Sequence, residues 1–164
     1  MYLLDSNTFI EAKNKHYNMS FCPAYWDWMD NKHAAGMVSS ISLVYDELVD
    51  FGDALSEWAR ARKDFFISVE DEETQTAFMA VARFVQQLPN AKDTEKTKFL
   101  SKADPWLIAK AMTRRSVLVT HESLAPENTT KVKIPNVCAH FGVEYMDTYE
   151  LLQRLEASFV FAPQ

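Results

Sequence analysis

The sequence predicts an α/β fold in which one open, mainly parallel sheet is flanked by helices. Two short apolar runs, Tyr2-Leu3-Leu4 and Val117-Leu118-Val119, each end abruptly in polar residues, as strands buried on both faces do. Stretches of helical periodicity lie between and beyond them, the clearest carrying Phe78, Val81, Phe84, Val85 and Leu88 before Pro89. Strand and helix signals alternate along the whole chain with no repeat and no low-complexity tract, so a single domain over residues 1–164 is expected.

Taken in order, Tyr2 to Leu4 reads as a buried first strand that enters a helix near Thr8 to Lys13 through Asp5-Ser6-Asn7. Residues 14–35 hold Tyr17, Phe21, Tyr25, Trp26 and Trp28, with Pro23 near the start of a helix, and read as an aromatic packing segment. Met37-Val38 is expected as a short strand, with Ser39 or Ser40 capping a helix through Leu43, Val44 and Leu48 that ends before Gly52. A helix over Asp53 to Arg62 and a strand at Phe65-Phe66-Ile67 come before the long helix that stops at Pro89.

Residues 90–102 are polar and lysine-rich and predict an exposed loop or weak helix. Asp104-Pro105 then reads as a helix N-cap followed by proline in the first turn, with Leu107, Ile108, Ala111 and Met112 on the buried face and Arg114-Arg115 closing the helix. After the strand Val117 to Val119, Pro135 starts a short helix that Gly142 ends. Val143 to Met146 forms a strand, and Asp147 with Glu150 caps a final helix.

The 48% apolar content supplies a sizeable core, and the net charge of -6 argues against a general nucleic-acid coat protein. An enzyme that holds cations with carboxylates remains compatible with that charge. The chain does not open on a basic segment followed by an apolar stretch, so a cytoplasmic protein without a membrane span is expected. Cys22 and Cys138 form no Cys-x-x-Cys pair and read as reduced thiols. With only Gly36, Gly52 and Gly142 present, there is no phosphate-cradling glycine loop.

Open parallel sheets bind ligands at the carboxyl ends of their strands. Asp5 and Thr120-His121-Glu122 follow two such strands, and Asp104 and Glu47 can reach the same crevice if their helices flank it. Two carboxylates about 5 Å apart at an effective dielectric of about 20 repel by roughly 3 kcal/mol, so a tight cluster either protonates or binds a cation. Magnesium or manganese prefers such oxygen ligands and promotes phosphoryl chemistry. Capping would explain Asp5 or Asp104 singly, and solvation would explain Glu47 or Glu122. Only the joint arrangement points to a site. Lys96, Lys98 and Lys102 before Asp104, and Arg114, Arg115, Lys131 and Lys133 beyond it, are available to guide a polyanion. His121 is left out of the catalytic set.

Four segments, in order, resemble the PIN-domain ribonucleases, including VapC-type toxins. They are Leu3-Leu4-Asp5-Ser6-Asn7-Thr8-Phe9-Ile10, Ser39 to Glu47-Leu48, Ala103-Asp104 through Ala111, and Leu118-Val119-Thr120-His121-Glu122. The resemblance implies a parallel-sheet PIN-like fold, Mg2+- or Mn2+-dependent endonucleolytic hydrolysis of RNA, often a homodimer, and a small protein antitoxin as partner. It puts Asp5, Glu47, Asp104 and Glu122 in the acidic, metal-holding positions, Thr120 in the hydroxyl position, and Ser6 and Asn7 beside the first acid. Lys98 and Lys102 are the expected substrate contacts. Glu122 stands where many relatives have aspartate. The alternative expectation is a noncatalytic RNA-binding or regulatory module on the same fold.

Overall fold

The computed structural model describes residues 1–160. It is an α/β structure with a five-stranded, all-parallel sheet in the order β3-β2-β1-β4-β5. The strands are β1 (Tyr2–Leu4), β2 (Val38–Ile41), β3 (Phe66–Ile67), β4 (Val117–Val119) and β5 (Tyr145–Met146). From β1 the chain builds outward through β2 to β3, then returns to the opposite side of β1 for β4 and β5. The order therefore reverses between β1 and β4, which is where open sheets of this kind leave a crevice at their carboxyl ends.

The central strands are apolar because both faces are covered: Leu3, Leu4, Leu118 and Val119 are fully buried. Helix α1 (Ser6–Glu11) leaves β1 directly and runs into a π-helical turn, Ala12–His16. Helix α2 (Pro23–Ala34) carries the aromatic segment, and Tyr25 and Trp26 are buried, with Tyr25 stacked on Tyr17 at 4.4 Å between ring centroids. These rings pack the protein interior, as their density in the sequence implied, whereas Phe21 of the same segment is exposed.

Helix α3 (Ser42–Val49) begins later than expected. Ser39 and Ser40 do not cap it. They lie in β2, where Ser39 Oγ donates to Phe65 O at 2.6 Å and Ser40 Oγ to Leu4 O at 2.6 Å. A carbonyl of β1 and one of the turn that leads into β3 satisfy these buried hydroxyls, so the strand can continue through them. Helix α4 (Ala54–Arg60), expected over Asp53 to Arg62, is capped by Asp53, and α5 (Glu72–Gln87) by Asp71.

The lysine-rich stretch forms α6 (Asp93–Leu100), in which Phe99 is buried. Helix α7 (Asp104–Arg114) starts at Asp104 itself. The cap position belongs to Ala103, and Asp104 makes no capping hydrogen bond, so the expected N-cap role for this aspartate is corrected. At its other end Arg115 adopts a left-handed conformation, φ +50°, which costs a non-glycine residue about 1–2 kcal/mol. Helix α8 (Ile134–Phe141) is ended by Gly142 at φ +66°, and α9 (Thr148–Arg154) is begun by a capping box between Asp147 and Glu150.

The buried side chains form a continuous core cluster that extends from Leu3 to Leu152. Cys22 and Cys138 are free thiols, and burial pushes Cys138 up to about 12. Among the described residues no helix is long and apolar enough to cross a membrane.

Candidate metal and phosphodiester site

Parallel register decides the first half of the site. Leu3 pairs with Leu118 and Leu4 with Val119, so the next residue on each strand, Asp5 and Thr120, emerge side by side at the reversal point of the sheet. Asp5 N donates to Val119 O at 2.9 Å, extending the ladder by one bond. Thr120 Oγ1 donates to Asp5 Oδ2 at 3.0 Å, and Ser6 Oγ approaches Oδ1 at 3.4 Å. Asp5 precedes α1 yet makes no side-chain capping bond, so capping does not account for it. Its neighbour Asn7 is exposed and makes no hydrogen bond to the acids among the described residues.

The second half arrives on helices. Glu47, on the last turns of α3, accepts a hydrogen bond from Ala103 N at 3.1 Å through Oε1. This long-range contact satisfies a free N–H at the start of α7 and carries the adjacent Asp104 to the crevice. No hydrogen bond to the Asp104 carboxylate or to the second oxygen of Glu47 is formed among the described residues.

The charges of Glu47 and Glu122 reach both Asp5 and Asp104. Asp5, 1% exposed, is raised from 3.8 to about 6, first by burial and further by the charges of Glu122 and Glu47, against the Thr120 hydroxyl that lowers it. Asp104 is raised to about 7. Burial is again the first cause, although part of its side chain still meets solvent, and the charges of Asp5, Glu47 and Glu122 follow, opposed by Lys102. The cluster is therefore poised to take up protons or a cation near neutral pH.

Glu122 belongs to this field, but its oxygens are engaged elsewhere. Lys133 Nζ donates to Oε1 at 3.0 Å and Ile134 N to Oε2 at 2.8 Å, so Glu122 anchors the start of α8, while its own N–H donates to Thr120 Oγ1 at 3.2 Å. Among the described residues no three His, Cys, Asp or Glu side chains converge to hold one metal ion together. The donor set nevertheless fits magnesium, which needs only one or two carboxylates and keeps several waters. Asp5 and Asp104 are two such groups.

A cavity of about 160 Å³ opens beside the acids, lined by Asp104 and Glu122 together with Lys98, Lys102, Lys131 and Lys133. Lys98 and Lys102, the expected substrate contacts, thus share one cavity with Lys131 and Lys133, which the sequence also offered as guides for a polyanion. Arg114 and Arg115 line other cavities, and Lys96 donates to Gln86 O at 3.0 Å. His121 bonds to Thr148 at 2.9 Å on the side of α9. Reasoning from sequence missed Lys133 as the partner of Glu122 and missed the burial of Lys110 on α7, whose ammonium pairs with Asp71 on α5. An apolar helix face that includes one lysine opposite a capping aspartate was the only available signal for the second.

The family model for a domain of unknown function, DUF4411, matches residues 2–159. No curated protein and no solved structure matches the chain.

Proposed function

The chain belongs to the DUF4411 family, a domain of unknown function, and from the site we propose that it is a divalent-metal-dependent endoribonuclease that hydrolyses RNA phosphodiester bonds. The observation that carries this reading is that Asp5, emerging beside Thr120 after β1, and Asp104, at the start of the helix that Glu47 anchors, are both pushed toward neutrality, first by burial and then by charges that include Glu47 and Glu122. Carboxylates held together in this way, with a lysine-lined cavity beside them, suit a cation and the phosphate it attracts.

Asp5 and Asp104 would hold Mg2+ or Mn2+, with the charge of Glu47 adding to the field at both. Such an ion, when bound, neutralises phosphate charge and makes water a better nucleophile at neutral pH. The chain's own residues do the rest. Thr120 fixes the orientation of Asp5 through Oδ2, and Glu47 fixes the start of α7 and with it Asp104. Glu122 neutralises Lys133, while Lys98 and Lys102 present ammonium groups to the phosphate backbone.

RNA as the polymer, a role as the toxin of a toxin–antitoxin pair, a small antitoxin and a homodimer rest on the resemblance of the four acidic segments to PIN-domain ribonucleases. The test is cleavage of a labelled single-stranded RNA by the purified protein. Magnesium or manganese should support cutting, chelator should stop it, and Asp5→Asn should abolish it. Undiminished cleavage in chelator would overturn the metal reading.

A second reading, a noncatalytic RNA-binding or regulatory module, is favoured by one observation: both Glu122 oxygens are already spent on Lys133 and Ile134. It predicts RNA binding without cleavage at any metal concentration, and a cellular effect that survives Asp5→Asn.

A further inference from the structure

We propose that a second cavity, across the Lys131-Val132-Lys133 segment from the acidic cleft, takes one nucleobase of the RNA strand whose phosphate lies among the lysines. This deepens the reading of the acidic cleft as an RNA phosphodiester site and rests on it. The cavity has a volume of about 210 Å³ and is walled by Phe84, Leu88, Pro89, Val132 and Val137, with Asn90 at its edge. Lys131, Val132 and Lys133 line both cavities. A three-residue wall separates a site for a phosphate from a site for a flat apolar group, which is the division of one nucleotide into its two parts.

The cavity is built rather than accidental. Its two long walls, residues 88–91 and 129–133, are tied together by Lys92 N donating to Thr130 O at 3.0 Å. The Phe84 ring is held by stacking on His140 at 3.7 Å and by the edge of Phe141 at 5.6 Å, so an aromatic surface is in place before any ligand arrives. Asn136 spends its amide on both backbone groups of Ala125, at 3.0 and 2.8 Å, which fixes the loop before the lysines. The Asn90 amide makes no hydrogen bond among the described residues and is available to a base edge. Apolar walls with a few polar groups are what a base requires, and the neighbouring ammonium groups favour an occupant that is joined to a phosphate.

The test uses the whole protein in chelator, so that no strand is cut, and fluorescence anisotropy with labelled RNA decamers: oligo-A, oligo-U, oligo-C and a fully abasic ribose-phosphate decamer of equal charge. At least one base-bearing decamer should bind about tenfold more tightly than the abasic one, the gain expected of a stacked base. Ala91→Phe, which fills the cavity from its lip, and Asn90→Ala, on an exposed turn, should each reduce that ratio without weakening the abasic decamer. Equal binding of all decamers by the wild type overturns the inference, as does a ratio that survives in both variants. If RNA is cleaved in magnesium while the ratio stays at one, the base site fails alone. If no decamer binds, the RNA reading fails with it.

Discussion

Helix α7 carries two ionisable side chains of opposite sign, Lys110 buried and Asp104 partly so, and their surroundings differ. Lys110 is 3% exposed and has its partner: the Asp71 carboxylate, held well below the usual range chiefly by that lysine, with Thr74 Oγ1 at 3.3 Å. Asp104, at the head of the same helix, meets Asp5, Glu47 and Glu122, with Lys102 the one opposing charge among the causes of its shift. A buried charge with a partner is a structural joint; a buried charge among its like is a demand for something the chain does not supply. The contrast separates the functional end of the helix from the end that holds α5 to α7.

The largest effect is expected at the unsatisfied end. Asp5→Asn or Asp104→Asn should reduce metal-dependent RNA cleavage by about 10²–10³-fold or more, measured as single-turnover rates. Next comes pH. The fold raises Asp5 from 3.8 to about 6, so it favours the neutral acid. That contribution is fully present below about pH 4 and is lost as pH rises through 6, leaving the metal-free protein about 3 kcal/mol less stable at pH 8 on this account. Denaturant titrations should record the fall, and Asp5→Asn should remove the Asp5 share of it while leaving the share of Asp104, which is raised to about 7.

Saturating Mn2+ should reverse the same penalty. At a hundred times its dissociation constant a ligand adds about 2.7 kcal/mol, or about 5–10 °C in Tm for a chain of this size. A smaller change, about 1–2 kcal/mol, is expected for Glu122→Gln, because the loss falls on the Lys133 pair and the start of α8. Its Mn2+ affinity should stay close to that of the wild type. Least of all, Lys110→Met should keep the packing of α7, let the half-exposed Asp71 turn to water, shift Tm by less than about 4 °C, and leave the metal response intact.

What was legible in the sequence follows the same division. The ends of β1 and β4 could be read because an apolar run that stops at a polar residue marks a strand end locally, and parallel pairing then brings Asp5 beside Thr120. The helix after Asp104 was legible too, but the role of that aspartate was not. Ala103 holds the cap position, its own N–H is taken by Glu47, fifty-six positions away in sequence, and no local pattern records such a contact. Ser39 and Ser40 resembled caps because their acceptors, Phe65 O just before β3 and Leu4 O on β1, are distant in sequence. Residues 93–100 have little helical periodicity because only Phe99 of α6 is buried. The Lys133 partner of Glu122 is reached only through a loop whose path depends on the fold.

The most direct test is calorimetric titration of Mn2+ into the protein at pH 6 in two buffers of different ionisation enthalpy, repeated at pH 8.5 and with Asp5→Asn. Because Asp5 and Asp104 carry protons near pH 6 to 7, ion binding should release protons at pH 6 and almost none at pH 8.5, and Asp5→Asn should bind far more weakly. Binding that releases no proton at either pH and is equally tight in Asp5→Asn would contradict the account.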